Sequence, residues 1–152
     1  MTLFSGFNAS ASALTTQRLR MDVISSNMAN AETTRARMVD GEWAPYRRKM
    51  VVVEPNQKQP FSAFLSNAMG QQSSGVGTGV KASAIVEDQN PFKLLYDPTH
   101  PDANEDGYVE MPNVDPLREM VDLMTATRSY EANVTSLNAT KNMLMKALEI
   151  GR

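Results

Sequence analysis

The chain has 152 residues, 41% of them hydrophobic, and a net charge of −2, which suits one modest domain and offers no basic field for nucleic acid. Cysteine is absent, so disulfides and thiolate metal sites are excluded, and no apolar run approaches the ~20 residues that span a bilayer. The opening residues lack the basic start and unbroken apolar stretch of a cleavable signal peptide, because Asn8, Ser10, Ser12, Thr15 and Thr16 interrupt them. Any export is therefore expected to use a route without such a signal.

The first expected element is a helix from about Leu3 to Ala31. Phe7, Leu14, Met21 and Met28 recur every seven residues, and Ala11, Ile24 and Ala31 fall three or four residues after members of that series. Gln17, Arg18 and Ser25 interrupt the stripe, and the first turns are rich in weak helix formers. Such a helix depends on packing for its stability.

The middle of the chain reads as β-rich. Met50-Val51-Val52-Val53 is a β-branched run between Pro45 and Pro55. The stretch from Gly79 to Asp88 places Val80, Ala82, Ala84 and Val86 in alternation. Phe92 to Tyr96 and Gly107 to Met111 are two further short strand candidates. Residues 61–69 fit either a short helix or a loop. Gln71 to Gly79 reads as a Gly/Ser/Gln-rich loop and Asp97 to Asp106 as a polar turn.

The C-terminal stretch carries the clearest pattern. Met120, Thr127, Val134, Lys141 and Leu148 form one seven-residue series, and Leu123, Tyr130, Leu137 and Leu144 form a second. Asn113 and Asp115 are possible N-caps, Pro116 and Glu119 suit the first turn, and Gly151 is a stop. A helix from Asp115 to Ile150 would be roughly 54 Å long at 1.5 Å per residue, longer than a domain of this size.

The fold class expected from this order is α+β. An N-terminal helix (1–33) and a C-terminal heptad helix (113–152) pair as an antiparallel coiled coil around a small β-rich insert (34–112), which has a flexible loop near 55–79. The expected packing and assembly positions are Phe7, Leu14, Met21, Ile24, Met28, Met120, Leu123, Tyr130, Val134, Leu137, Leu144 and Leu148. Polar Thr127 and Lys141 within the series are choices that specify register and partner. The small groups outside it, such as Ala132 and Ala139, let helices approach on several sides.

Signs of catalysis are weak. His100 is the single histidine and has no second ligand or nucleophile motif beside it, so it reads as a turn residue with a structural hydrogen bond. Asp102-x-Asn104-x-Asp106-Gly107 begins like a calcium loop, but its twelfth position is Asn113 where a bidentate Glu is needed. No nucleophile elbow or phosphate loop is present, and neither a catalytic site, a metal nor a cofactor is expected. Arg47-Arg48-Lys49, the one tight basic cluster, reads as a solvated strand edge.

Two segments resemble a known family. Ser25-Ser26-Asn27-Met28-Ala29-Asn30-Ala31 is similar to the N-terminal signature of bacterial flagellar rod and hook proteins, the axial family. Ser129-Tyr130-Glu131-Ala132-Asn133 is similar to its C-terminal partner motif. The segments Asp88 to Phe92, Tyr96 to Ala103, Gly107 to Asp115 and Glu119 to Met124 resemble the proximal-rod branch of that family.

The resemblance implies a structural subunit, not an enzyme, whose motif positions are Ser26, Asn27, Ala29, Asn30, Tyr130, Glu131, Ala132 and Asn133. It implies terminal helices paired inside a hollow helical tube that carries torque from motor to hook and is needed for motility. Implied partners are further copies of the chain, other rod proteins including hook-side subunits, the MS-ring/rod junction protein and the flagellar type III export apparatus. The implied place is the basal-body rod, across the periplasm or cell wall, reached without a cleaved signal peptide. A secreted coiled-coil adaptor, another axial rod subunit, and an enzyme or calcium module at Asp97 to Asp106 are the competing readings.

Overall fold

A computed structural model describes residues 5–39, 41–56, 69 and 79–150. The expectations for residues 61–68, for the loop at 71–78 and for a stop at Gly151 lie outside these residues. In chain order the described elements are helix α1 (Ser5–Ala29), strands β1 (Arg37–Val39), β2 (Glu42–Ala44), β3 (Lys49–Pro55), β4 (Val80–Glu87), β5 (Lys93–Tyr96) and β6 (Tyr108–Met111), and helix α2 (Pro116–Ile150). The class is α+β, with terminal helices and small antiparallel strand pairs between them.

Each strand pairs with the next in sequence, giving three antiparallel ribbons: β1 with β2, β3 with β4, and β5 with β6. The four strands expected from β-branched runs and alternation are present. The β1–β2 hairpin is not among them and is an addition. Its signal was the Asp40-Gly41 pair, a strong hairpin dipeptide, and Gly41 has the positive φ of 92° that such a turn requires. In the β3–β4 ribbon the register shifts between Val52 and Val53, so Val52 faces Ala84 while Val53 faces Ala82. Ser83 is the extra residue, and it breaks the simple alternation expected from Val80 to Val86.

Helix α1 packs against α2 on one side and against β3 and β4 on another. Of its exposed positions, Asn8, Thr15, Arg18, Asp22, Ser25 and Ala29 form one polar or small-residue stripe. The helix meets β4 closely near its start. The Val80 amide donates to Ser12 Oγ at 3.1 Å, and Ser12 Oγ donates to the Ala9 carbonyl at 2.7 Å. A Cβ on Gly79 would collide with Ser12 Oγ, and Gly79 has φ 105°, so both the contact and the backbone favour glycine there.

The hydroxyls of weak helix formers in both helices are satisfied by their own backbone. Thr15, Thr16, Thr125, Thr127, Ser129, Thr135 and Thr140 each donate to the carbonyl four residues earlier. A hydroxyl satisfied in this way can be buried without a partner from elsewhere, as Thr16 is. The apolar core is small: Val23, Ile24, Tyr46, Val109, Val114 and Ala126. It gathers where the C-terminal end of α1 meets the first turns of α2 and the strands beside them.

Candidate assembly surface and its polar clasp

The two helices run antiparallel. Asn27 bonds to Glu119, and Met21 Sδ lies 3.6 Å from the Thr127 hydroxyl, so position rises on one helix as it falls on the other. The face of α2 turned inward follows Glu119, Leu123, Ala126, Tyr130, Asn133, Leu137, Thr140 and Leu144, all buried or half-buried. The steps alternate between four and three residues, which is a heptad seam.

This seam corrects one half of the expected pattern. Leu123, Tyr130, Leu137 and Leu144 are half-buried on it. The companion series is displaced by one residue: Glu119, Ala126, Asn133 and Thr140 occupy the places expected for Met120, Thr127, Val134 and Lys141. Met120 is 52% exposed, Leu148 is 76% exposed and Lys141 is exposed, while Thr127 and Val134 are half-buried at the edge of the seam. The reason is chemical. The true seam positions are charged, small or amide, and a search for apolar residues passes over them in favour of their neighbours. On α1, Ile24 is buried, and Phe7, Leu14, Met21 and Met28 are half-buried on the covered face.

Glu119 has no exposed side-chain surface, and it is held from two directions. Arg48 Nε donates to its Oε1 at 2.6 Å, and Asn27 Nδ2 donates to its Oε2 at 3.0 Å. Asn27, 1% exposed, uses every hydrogen-bonding site of its amide. Its Nδ2 also donates to the Lys49 carbonyl at 2.9 Å, while its Oδ1 accepts from the Tyr46 hydroxyl at 3.0 Å and from the Lys49 amide at 2.9 Å. Arg48 further reaches Asp122 at 3.3 Å and Asp88 at 3.8 Å. The expected solvated strand edge is therefore corrected at Arg48, whose side chain is 13% exposed and ion-paired. The cluster joins α1, the start of β3 and the first turns of α2 in one buried polar network.

Asn113 extends this network. Its Oδ1 accepts from the Arg48 amide at 2.8 Å, and its Nδ2 donates to the Asn90 carbonyl at 3.1 Å. Of the two candidate caps it is Asp115 that caps α2, accepting from the Leu117 amide at 3.1 Å.

The polar loop between β5 and β6 is a structural turn. His100 Nδ1 accepts from the Asp102 amide at 3.1 Å, as expected of a turn histidine. Asp102 is committed to Thr34 Oγ1 at 2.8 Å and Arg35 Nε at 2.6 Å, and Asn104 Oδ1 accepts from the amides of Asp106 and Tyr108. Hydrogen bonds from Arg35 and then Thr34 hold the Asp102 carboxyl below its ordinary value. The Thr99 hydroxyl and then its amide do the same for Asp97. Among the described residues no group of three or more potential metal ligands comes together.

Of the motif positions, Asn27 is at the centre of the clasp. Asn30 Nδ2 donates to the Ser26 carbonyl at 2.8 Å at the end of α1, and Ser26 Oγ lies 3.5 Å from the Tyr46 hydroxyl. Tyr130 and Asn133 lie on the seam, while Ala29, Glu131 and Ala132 are exposed. Sequence reasoning missed Tyr46, Lys49 and Glu119 as partners of Asn27, and Arg48 as the second partner of Glu119.

Comparison with known proteins follows this geometry. Residues 7–37 match the family described as "Flagella basal body rod protein". Residues 105–150 match the one described as "Flagellar basal body rod FlgEFG protein C-terminal". The chain is 62% identical over 152 residues to the flagellar basal-body rod protein FlgC of Bacillus subtilis, covering 100% of both. It is 44% identical to that of Borreliella burgdorferi, covering 99% of this chain and 98% of the relative. It is 41% identical to that of Salmonella typhimurium, covering 100% of both. The matched terminal segments are the ones that α1, α2 and the clasp bring together, and the chain belongs to the FlgC family of flagellar basal-body rod proteins.

Proposed function

We propose that the paired helices α1 and α2 form the surface through which this chain is built into a hollow helical rod. The chain is a structural subunit of the flagellar basal-body rod and not an enzyme, as its family membership gives. The observation that carries the finer reading is the antiparallel pairing of the two family segments, with Asn27 of one bonded to Glu119 of the other.

The reading extends to the proximal part of the rod, to neighbours that include other rod proteins, hook-side subunits and the MS-ring/rod junction protein, and to torque transfer from motor to hook. It includes delivery by the flagellar type III export apparatus without a cleaved signal. Two features support assembly through α2. Leu117, Met120, Val121 and Met124 form an exposed apolar stripe at i, i+3, i+4 and i+7 on the face of α2 turned away from α1. Near the other end of the helix Met143, Met145, Leu148 and Ile150 are also exposed. Heterologous contacts whose rotation does not close give an open helical assembly, the form this reading requires.

The test is Leu137→Asp in the full chain. A charge in the seam is expected to abolish incorporation into purified basal bodies and to abolish swimming, while the β ribbons keep their circular-dichroism signal. Normal swimming with the variant present in the rod would overturn the reading.

A further inference from the structure

Two surfaces of the described chain are unsatisfied in complementary ways. The first is a groove between α1, β3 and the first turns of α2, with a volume of about 440 Å³. Its wall includes Met50, Val51 and Val53, and its cations include Arg20, Lys49 and Arg118. Its two carboxylates, Glu119 and Asp122, are both held by Arg48. Arg20, Lys49 and Arg118 have no anionic partner among the described residues. The Lys49 ammonium lies over the Tyr46 ring, 5.6 Å from its centre.

The second surface is the tip of the β5–β6 hairpin. Glu105 and Asp106 are exposed there and have no cationic partner among the described residues, in contrast to Asp102, which Arg35 engages. Beside them Tyr96 and Tyr108 pack edge to face with ring centres 5.2 Å apart and are 64% and 42% exposed. The tip is thus an acidic knob with an aromatic base. The Asp102 contacts tether it next to Thr34 and Arg35, beyond the end of α1 and away from the chain's own groove.

We propose that the hairpin tip of one copy docks in the groove of a second copy, with Glu105 and Asp106 against Arg20 and Arg118 and the tyrosine edge against Met50, Val51 and Val53. Opposite charges face each other across an apolar contact, an arrangement that steers encounter and fixes orientation. Knob and groove are different surfaces of one chain, so the contact is head-to-tail and leaves a free knob and a free groove for further copies. This inference rests on the rod-subunit reading and names one contact within it.

The experiment uses full-length chains, which lack cysteine, so each introduced thiol is unique. Cells co-express Val53→Cys and Pro101→Cys chains, basal bodies are purified, and a short bismaleimide is added. The expected result is a mixed cross-link between the two variants. It should fall about tenfold when Glu105→Lys and Asp106→Lys are added to the Pro101→Cys chain, and return when Arg20→Glu and Arg118→Glu are added to the Val53→Cys chain. Basal bodies that contain both chains but give no mixed cross-link, a cross-link to a different protein instead, or one indifferent to charge reversal overturn the inference and leave the rod reading standing. Basal bodies that contain neither chain overturn both.

Discussion

Glu119 is the residue on which the helix crossing turns. It is a carboxylate with no exposed surface, held by Arg48 and Asn27. Removing it leaves Asn27 Nδ2 short of one buried acceptor while Arg48 keeps Asp122 and Asp88, a loss of about 1–3 kcal/mol. Glu119→Ala is therefore expected to lower the unfolding free energy of the full chain by about that amount in urea titration. Glu119→Gln, which keeps an oxygen acceptor, should cost less. Equal losses in the two variants would show that charge has no part in the clasp.

A second residue-scale prediction concerns acid. The folded-state pKa of Asp102 is depressed below its ordinary value of 3.8 by Arg35 and Thr34. Its contribution is fully present above that value and is lost as pH falls through the lower folded pKa. Protection of the Ala36 amide, which donates to the Ala44 carbonyl, relative to its intrinsic exchange rate should therefore hold down to pH 3.8 and fall below it. Asp102→Asn should remove that step from the profile.

Among elements, the seam between α1 and α2 shows how little grease a long helix pair needs. Ala126 is 1% exposed where the helices cross, and neighbouring seam positions are half-buried Asn133 and Thr140. A larger side chain at Ala126 has no room. Ala126→Leu is expected to destabilise the chain by about 1–3 kcal/mol through overpacking, read as a fall in the urea midpoint without a change in slope.

The same chemistry explains what was legible in the sequence. The Leu123, Tyr130, Leu137 and Leu144 series was visible because apolar repeats are visible. The companion series was not, because a buried glutamate and alanine look like surface residues until their partners are known. The β3–β4 and β5–β6 ribbons were readable from Val-rich runs and polar turns. The short β1–β2 ribbon, whose strands have three residues each, is too brief for periodicity to mark. Nothing in the sequence paired Asn27 or Arg48 with Glu119, since a clasp made of contacts up to 92 positions apart leaves no local trace.

For the whole molecule, core and clasp share one end of the helix pair. Val23, Ile24, Tyr46, Val109, Val114 and Ala126 are buried near Asn27 and Glu119, whereas residues 145–150 of α2 are all exposed. Opening free energy should fall with distance from that end. Hydrogen exchange on the full chain is expected to be slowest at residues 20–27 and 119–127 and to quicken steadily toward Ser5 and Ile150. Uniform protection along both helices would contradict this.

The amide of Asn27 gives a last consequence. Its two hydrogens and its oxygen are matched to four separate atoms on two other segments, so α1 cannot slide or roll against α2 without losing the Glu119 bond, nor leave the 46–49 segment without losing three more. The pair behaves as a keyed shaft whose phase is locked inside each copy. When such a shaft is turned under load, shear has no give within the unit and passes to the joints between units.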